Sequence, residues 1–493
     1  MHQSLQMSSS DAPAGQADKT TAERRRSSVR RPSIAADKLG PMKFSKGHAP
    51  GAQFNIVFVG AGNINFGSDE GPWDHSFRLE NRLGPRLKVV AIIDPVTSAA
   101  EARLKVKRNS FVETAYRDTR ICTSLDDFCL TMKDHERPHA FIVGSPAAFR
   151  GSTQQGRDFE LQVLKKFPEN TPAMFIEKPL SADSVENALQ VSRALVDSKT
   201  VVSVGYFLRY LKVVQKMRSI IEDNDLEVMA TVARYVSSYA NINKPAWWMK
   251  SKDCGPKREQ RGRGSAALNS SRARAEERDT KVALRGIRFF PPTLAASLQT
   301  AAVTPGKYMY FGGDVDMDTV QAQALEHDEP AGQLAVVPID EDKIQPDDRI
   351  PRVTSAHWKY ETGAVGSLTH ALVLQGYKYS VELEIYADGY QLRLIDPYNA
   401  PELRVRTPDG DEEQVYTFER DDPYAGELNA FIDETENAMG VGSAVGSAVA
   451  DDDSYEILSS FEDAAKTYAL SWAIRVASEQ NTKKFKKTKK ASQ

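Results

Sequence analysis

Three short groups of residues in this chain have the types and spacing to do chemistry. The first is Gly60-Ala61-Gly62-Asn63-Ile64-Asn65, which follows the apolar run 54–59. Gly60 permits a tight turn after a strand, and Gly62 lets the backbone approach a pyrophosphate. The amides of Asn63, Ile64 and Asn65, at the opening of a helix, would then face its negative charge. Asn65 stands where a dinucleotide fingerprint usually has its third glycine, and Gly67 is out of register. The second is Asp94, at the end of the next long apolar run. Its carboxylate would accept hydrogen bonds from the adenosine ribose hydroxyls, and an acid there disfavours a 2′-phosphate, so NAD(H) is favoured over NADP(H). The competing reading is an aspartate that caps the turn before Pro95. The third is Glu177-Lys178-Pro179, directly after the apolar run 174–176. A lysine at the carboxyl end of a parallel strand can polarise, or give a proton to, a carbonyl oxygen whose carbon receives hydride. Taken alone, Lys178 reads equally well as a surface residue before a helix-starting proline.

The elements that must position these groups follow from the apolar pattern. Runs at 54–59, 87–93, 141–143, 174–176 and 201–204 are short and rich in β-branched residues, with helical stretches such as 158–167 and 183–196 between them. Ser181 and Asp183 are candidate N-caps for the second stretch. Near-continuous apolar strands alternating with helices predict a doubly wound parallel sheet covered on both faces, an α/β Rossmann domain over residues 53–207. After a helix near 211–222 the pattern changes. Val381, Leu383 and Ile385 alternate with polar residues, and Asp388-Gly389 turns the chain into 391–395. Leu403 and Val405 alternate with arginines before Pro408-Asp409-Gly410 turns toward 415–418, and a third hairpin is expected around Glu361-Thr362-Gly363. Asp-Gly between alternating strands is a strong hairpin signal. Residues 208–480 therefore read as an α+β domain with a large, mostly antiparallel sheet, one face of it open. A Val-Gly-Ser-Ala repeat over 441–449 reads as a flexible connector to a closing helix near 455–478.

Composition sets the outer limits. The 493 residues are 41% apolar and 27% charged with a net charge of -3, ordinary for a soluble globular chain of two domains. That balance gives no general attraction to nucleic acid or anionic lipid. Cys122, Cys129 and Cys254 lie at no metal-ligand spacing and cannot all pair, which predicts no metal and a reducing, cytoplasmic setting. No apolar run approaches the roughly 20 residues of a membrane span. Residues 1–52, poor in large apolar groups, are expected to be a disordered tail. Its Arg24-Arg25-Arg26-Ser27-Ser28 and Arg30-Arg31-Pro32-Ser33 fit either kinase sites or plain solvated sequence. Residues 481–493 are expected to be a basic tail, which reads as a frayed end or a nuclear address.

The fingerprint, the Glu-Lys-Pro triplet and a following sheet-rich domain together resemble the glucose–fructose oxidoreductase/inositol dehydrogenase (Gfo/Idh/MocA) family. The resemblance covers roughly residues 53–250 and 308–480. It implies NAD(P)-dependent oxidation or reduction of a sugar, polyol or related hydroxy/keto compound, and homo-oligomers joined through the open sheet face. It implies that Lys178 contacts the nicotinamide ribose and the reacting oxygen, with Glu177 helping to position it. Ser145 and Pro146, after Gly144, look like the family's cofactor-lining loop, and Arg150 occupies a place often held by histidine. The segment from Tyr206 to Tyr210 resembles the crossover that lines the substrate pocket, so Arg209 and Tyr210, with Trp247, are candidate substrate contacts.

The resemblance breaks at one point. The family's second catalytic pair, an Asp and a His on a helix of the second domain, is missing, since no histidine occurs between His139 and His327. In its place residues 257–307 are Arg-rich and patternless. Three readings stand: a basic insertion that binds an acidic partner, a disordered insertion, or non-coding or frame-shifted sequence that displaced the catalytic helix. The last is favoured on composition. A catalytically impaired dinucleotide sensor is therefore the rival to the enzyme, and a nucleic-acid partner is disfavoured.

Overall fold

The computed structural model describes residues 52–67, 71–242, 245–249, 311–376, 378–440 and 456–491. The expected N-terminal tail, the connector repeat and the passage 257–307 lie outside the described residues, apart from residue 52.

The first unit is built from β1 (Phe54–Val59), α1 (Asn63–Phe66), α2 (His75–Leu83), β2 (Leu87–Ile93), α3 (Thr97–Arg108), α4 (Glu113–Tyr116), β3 (Arg120–Cys122), α5 (Leu125–Thr131), β4 (Ala140–Val143), α6 (Phe159–Lys166), β5 (Ala173–Ile176), α7 (Val185–Asp197) and β6 (Val202–Val204). Its six strands run in the order β3-β2-β1-β4-β5-β6, and every pairing is parallel. This is the doubly wound dinucleotide-binding order, in which the order of strand addition reverses between β1 and β4. All six residues of β1 are buried, as a strand covered on both faces requires. The short β3 was absent from the apolar pattern because only Cys122 of its three residues is buried. The cap of α7 is Ser184, whose hydroxyl accepts from the Asn187 amide, rather than Ser181 or Asp183. Ser181 lies three residues early and Asp183 one, and the Asp183 carboxylate instead accepts from the Ser184 amide.

The second unit adds α8 (Lys212–Asp223), β7 (Val228–Ser238), β8 (Val315–Leu325), β9 (Val353–Tyr360), β10 (Val365–Leu374), β11 (Ser380–Ala387), β12 (Tyr390–Ile395), β13 (Glu402–Arg406), β14 (Glu413–Tyr416), α9 (Pro423–Ala438) and α10 (Phe461–Ala491). The strands form one sheet, β14-β13-β12-β11-β7-β10-β9-β8, antiparallel except for the central β7–β10 pair. Asp388 and Gly389 both have positive φ, 44° and 83°, as a two-residue type I′ hairpin turn demands. Along β9 and β11 buried residues alternate with more exposed ones, so one face of the sheet is covered and the other is open. The open face carries crossed ion pairs, Arg234–Glu382, Arg393–Glu413 and Arg404–Glu402.

Two helices from the end of the chain complete the first unit, which the apolar pattern had closed at residue 207. Leu428, Phe431 and Ile432 of α9 join the core on one side of the parallel sheet, and Phe461, Ala464, Ala465, Tyr468 and Trp472 of α10 join the other. The helix α10 also continues through the lysine-rich stretch to Ala491, where a frayed tail was expected. Lysine is a good helix former, and Lys486 pairs with Asp328 at 3.0 Å. Among the described residues no helix is long and apolar enough to cross a membrane.

Candidate active site

Register puts the chemistry on one edge. Val59 pairs with Ile93 and Val143, Val143 with Ile176, and Ile176 with Val204. The residues that follow, Gly60, Asp94, Gly144, Glu177 and Gly205, therefore emerge side by side at the carboxyl ends of the strands. In open α/β sheets ligands bind at this edge.

At the switch point the loops after β1 and β4 touch. Gly60 has φ +93°, and a Cβ there would lie 3.1 Å from the Ser145 amide, so glycine is required for both conformation and space. Gly62 is the opposite case: a Cβ would meet nothing within 4 Å, which leaves the backbone open to a ligand. Asn65 is completely buried, and its Nδ2 donates to the Gly60 carbonyl at 2.7 Å and the Val59 carbonyl at 3.3 Å. Its side chain thus braces the turn from below and does not face a cofactor, which explains how the third glycine can be absent. Asp94 does two jobs: Oδ2 accepts from the Ala61 amide at 2.7 Å, and Oδ1 caps the next turn by accepting from Val96 at 2.8 Å. Beside them Arg103 of α3 donates to Asn63 Oδ1 at 2.8 Å, a cation beside the fingerprint loop that the sequence reading did not pick out. Ser145 and Pro146 occupy the facing loop, the first half-buried and the second exposed.

At the other end Glu177 is buried and held on three sides. His75 Nε2 lies 2.8 Å from Oε1, the Lys178 amide donates to Oε2 at 3.2 Å, and a Cβ at Gly205 would come within 3.1 Å of the carboxylate. Burial alone would push the Glu177 carboxyl up; the His75 hydrogen bond, with the charges of Lys178 and Arg150, outweighs burial and holds it below the ordinary carboxylate value. Arg150, itself buried, donates from Nε to the Ser145 carbonyl at 3.0 Å and from Nη1 to the Pro179 and Leu180 carbonyls at 2.7 and 2.9 Å. It ties the loop after β4 to the loop that carries Lys178. Lys178 is half-buried, and among the described residues its ammonium has no hydrogen-bond or ion-pair partner.

The second unit closes over this end with aromatic rings. Tyr424 of α9 stacks on Phe207 at 4.2 Å, Phe207 meets Tyr398 at 6.0 Å, Tyr398 meets Tyr235 at 6.0 Å, and Tyr235 stacks on His370 at 5.8 Å. Burial lowers the His370 imidazole to about 4, so it is neutral at physiological pH. Arg78 lies over the Tyr424 ring at 4.9 Å and pairs with Asp422 at 3.0 Å. Glu427, on the same helix, is buried; loss of solvation first and the charge of Glu177 second push its carboxyl far up.

Two of the expected substrate contacts are engaged elsewhere. Arg209 is buried, donating to the Leu458 carbonyl and pairing with Asp463, and the Tyr210 hydroxyl accepts from the Leu458 amide at 2.9 Å. Both fasten the start of α10 to the crossover, because a helix returning from the far end of the chain needs its entry tied down. Phe207 of the same segment joins the aromatic wall instead. Trp247 lies in the short turn Pro245–Trp248, and its side chain is outside the described residues. His75, Tyr424 and Glu427 escaped the sequence reading. Nothing in local spacing links α9 to β5, or His75 to Glu177, 102 residues further along the chain.

The family model described as oxidoreductase family, NAD-binding Rossmann fold, of the Gfo/Idh/MocA type, matches residues 54–206. A second, for an oxidoreductase C-terminal domain, matches residues 209–270 and 301–390. It accounts for both margins of the Arg-rich passage and skips 271–300. The Schizosaccharomyces pombe protein named Uncharacterized protein UNK4.17 is 42% identical over 429 residues, 87% of this chain and 92% of its own length. Among solved structures, a dehydrogenase from Chromobacterium violaceum has a TM-score of 0.56 at 13% identity, over 89% of this chain and 99% of its own. The WlbA dehydrogenase from the same organism, in complex with NADH and UDP-GlcNAcA, has a TM-score of 0.52 at 13% identity, over 88% and 96%. At such identities these two speak for the fold alone.

Proposed function

The chain belongs to the Gfo/Idh/MocA oxidoreductase family, and from that premise we propose that it interconverts a hydroxyl and a keto group on a sugar-, polyol- or sugar-nucleotide-like compound, with Lys178 at the reacting oxygen. The residues present fit a nicotinamide dinucleotide. Gly60 makes the tight turn against the Ser145 amide, Gly62 leaves the backbone beyond it open, and the Asn63 and Ile64 amides open a helix whose first turn lacks internal acceptors. Asp94 would hold the adenosine ribose with NAD(H) preferred, and Ser145, Pro146 and Glu177 would line the nicotinamide end. When bound, the nicotinamide supplies or accepts the hydride.

The observation that carries the reading is the contrast between Glu177, fixed on three sides, and the unpartnered ammonium beside it. The Lys178 ammonium can donate a hydrogen bond, and then its proton, to a carbonyl oxygen as hydride reaches the carbon, leaving a neutral amine. In the reverse direction that neutral amine takes the hydroxyl proton as hydride leaves the carbon. The aromatic wall from Tyr424 to Tyr235 offers flat, largely dry surface to a ring-shaped substrate. The test is nicotinamide absorbance followed with NAD and NADP across hexoses, polyols and UDP-sugars. Turnover with at least one member of that panel, faster with NAD than with NADP, is expected. Saturable NADH binding without turnover on any of them would replace the enzyme with the sensor.

A further inference from the structure

We infer that His75 is a positioning residue for Lys178, acting through Glu177: it fixes the carboxylate that in turn fixes the lysine loop. The inference rests on the dinucleotide oxidoreductase reading for its purpose and on geometry for its content. His75 is fully buried at the first position of α2, where the Asp74 side chain caps the helix by accepting from the Phe77 amide at 2.9 Å and from the Ser76 hydroxyl at 2.7 Å. Its ring meets Phe175 of β5 edge-on at 5.0 Å, and Nε2 reaches Glu177 Oε1 at 2.8 Å. Nδ1 is buried with no hydrogen-bond partner among the described residues. A buried N–H without an acceptor is costlier than a bare lone pair, so the hydrogen-bond pattern assigns the proton to Nε2, pointing at Glu177.

The consequence follows from what surrounds the carboxylate. Lys178 from its own loop and Arg150 from the loop after β4 favour the ionised form, while Tyr424 and Glu427 of α9 face it from the other side, with Arg78 of α2 beyond them. Gly205, where a Cβ would lie 3.1 Å from Glu177 Oε1, leaves the carboxyl the space it occupies. The His75 donor is thus the group that does most to keep Glu177 a carboxylate in a buried place, and a carboxylate fixed there holds the Lys178 amide and with it the loop that carries the ammonium. Because His75 opens the helix that follows the fingerprint loop, the same contact couples the cofactor loop to the reacting lysine. It also supplies a histidine to the centre in a chain that has none between His139 and His327.

The experiment reads Glu177 directly in the full chain. Protein carrying glutamate labelled with 13C at the δ-carbon is titrated by NMR without and with NADH, and the Glu177 signal is assigned by its loss in Glu177→Gln. Wild-type Glu177 is expected to titrate below free glutamate. His75→Phe, which keeps the ring and removes the donor, raises its proton affinity at least about tenfold. His75→Gln, whose amide can still donate, falls in between and remains informative should the Phe variant not fold. NADH affinity, measured by tryptophan quenching, changes less than about threefold in either variant. Where a substrate is in hand, the acid limb of kcat moves to higher pH in the order wild type, Gln, Phe. Identical Glu177 titrations in wild type and a folded variant lacking the donor would overturn the inference, as would a Gln variant no different from Phe. Loss of NADH binding in the wild type would count against the dinucleotide reading alone, because the titration of Glu177 does not depend on it.

Discussion

At the residue scale the site is a set of close contacts, and each carries a consequence. Gly205→Ala would place a methyl 3.1 Å from the Glu177 carboxylate. Overpacking of that kind typically costs about 1–3 kcal/mol, and here it also displaces the carboxylate that sets Lys178. The expected outcome is a lower denaturation midpoint together with a fall in kcat of about tenfold or more, with NADH affinity nearly unchanged; a variant with native kcat would contradict it. Glu427 gives a pH prediction. Its folded-state pKa is raised, first by burial and then by Glu177, so it contributes stability below its unfolded value of about 4.3 that is lost as pH rises through the folded value. Glu427→Gln should flatten that loss and leave the variant more stable than wild type on the alkaline side, as urea midpoints across pH would show. Asp94→Ala should weaken NADH binding about tenfold or more, about 1.4 kcal/mol, and narrow the preference over NADPH. Equal affinities in variant and wild type would remove Asp94 from the ribose site. The fingerprint glycines, Asp94 and Glu-Lys-Pro were legible in sequence because their chemistry is local. The brace role of Asn65 was not, since its partner atoms are backbone carbonyls that no side-chain pattern reveals.

At the element scale the strands were the readable part. Apolar runs gave β1, β2, β4, β5 and β6 to within a residue, because strands buried on both faces admit little else. The Asp388-Gly389 turn was readable for the same local reason, its two positive φ angles. The engagement of Arg209 and Tyr210 with the start of α10 was not readable, because it depends on which way a short helical turn faces, and that is decided by a helix more than two hundred residues later. This difference is testable. Arg209→Ala strips the half-buried Asp463 and the Leu458 carbonyl of their guanidinium partner, a loss of about 1–3 kcal/mol. The expected result is a large drop in the denaturation midpoint, with KM for whatever substrate is found little changed in the surviving folded protein. A normal midpoint with a raised KM would return Arg209 to the pocket.

At the scale of the whole molecule the chain is not two beads in series. The helices α9 and α10 supply core residues on opposite sides of the parallel sheet, so the nucleotide-binding unit borrows its cover from the carboxyl-terminal end. A fragment of residues 52–207 is therefore expected to expose two apolar surfaces, aggregate, and show no cooperative unfolding; a monomeric, cooperatively melting fragment would refute the interdependence. The same arrangement brings Tyr424 and Glu427 to Glu177, which makes the centre a joint product of both ends of the sequence. That is why local motifs could suggest the chemistry without showing its surroundings. The most direct measurement is hydride transfer by wild type and Lys178→Ala, compared on the best substrate of the panel with NADH binding verified for both. The account predicts undiminished binding and turnover reduced by about a hundredfold or more in the variant; equal turnover would show that the reacting oxygen is held by another group.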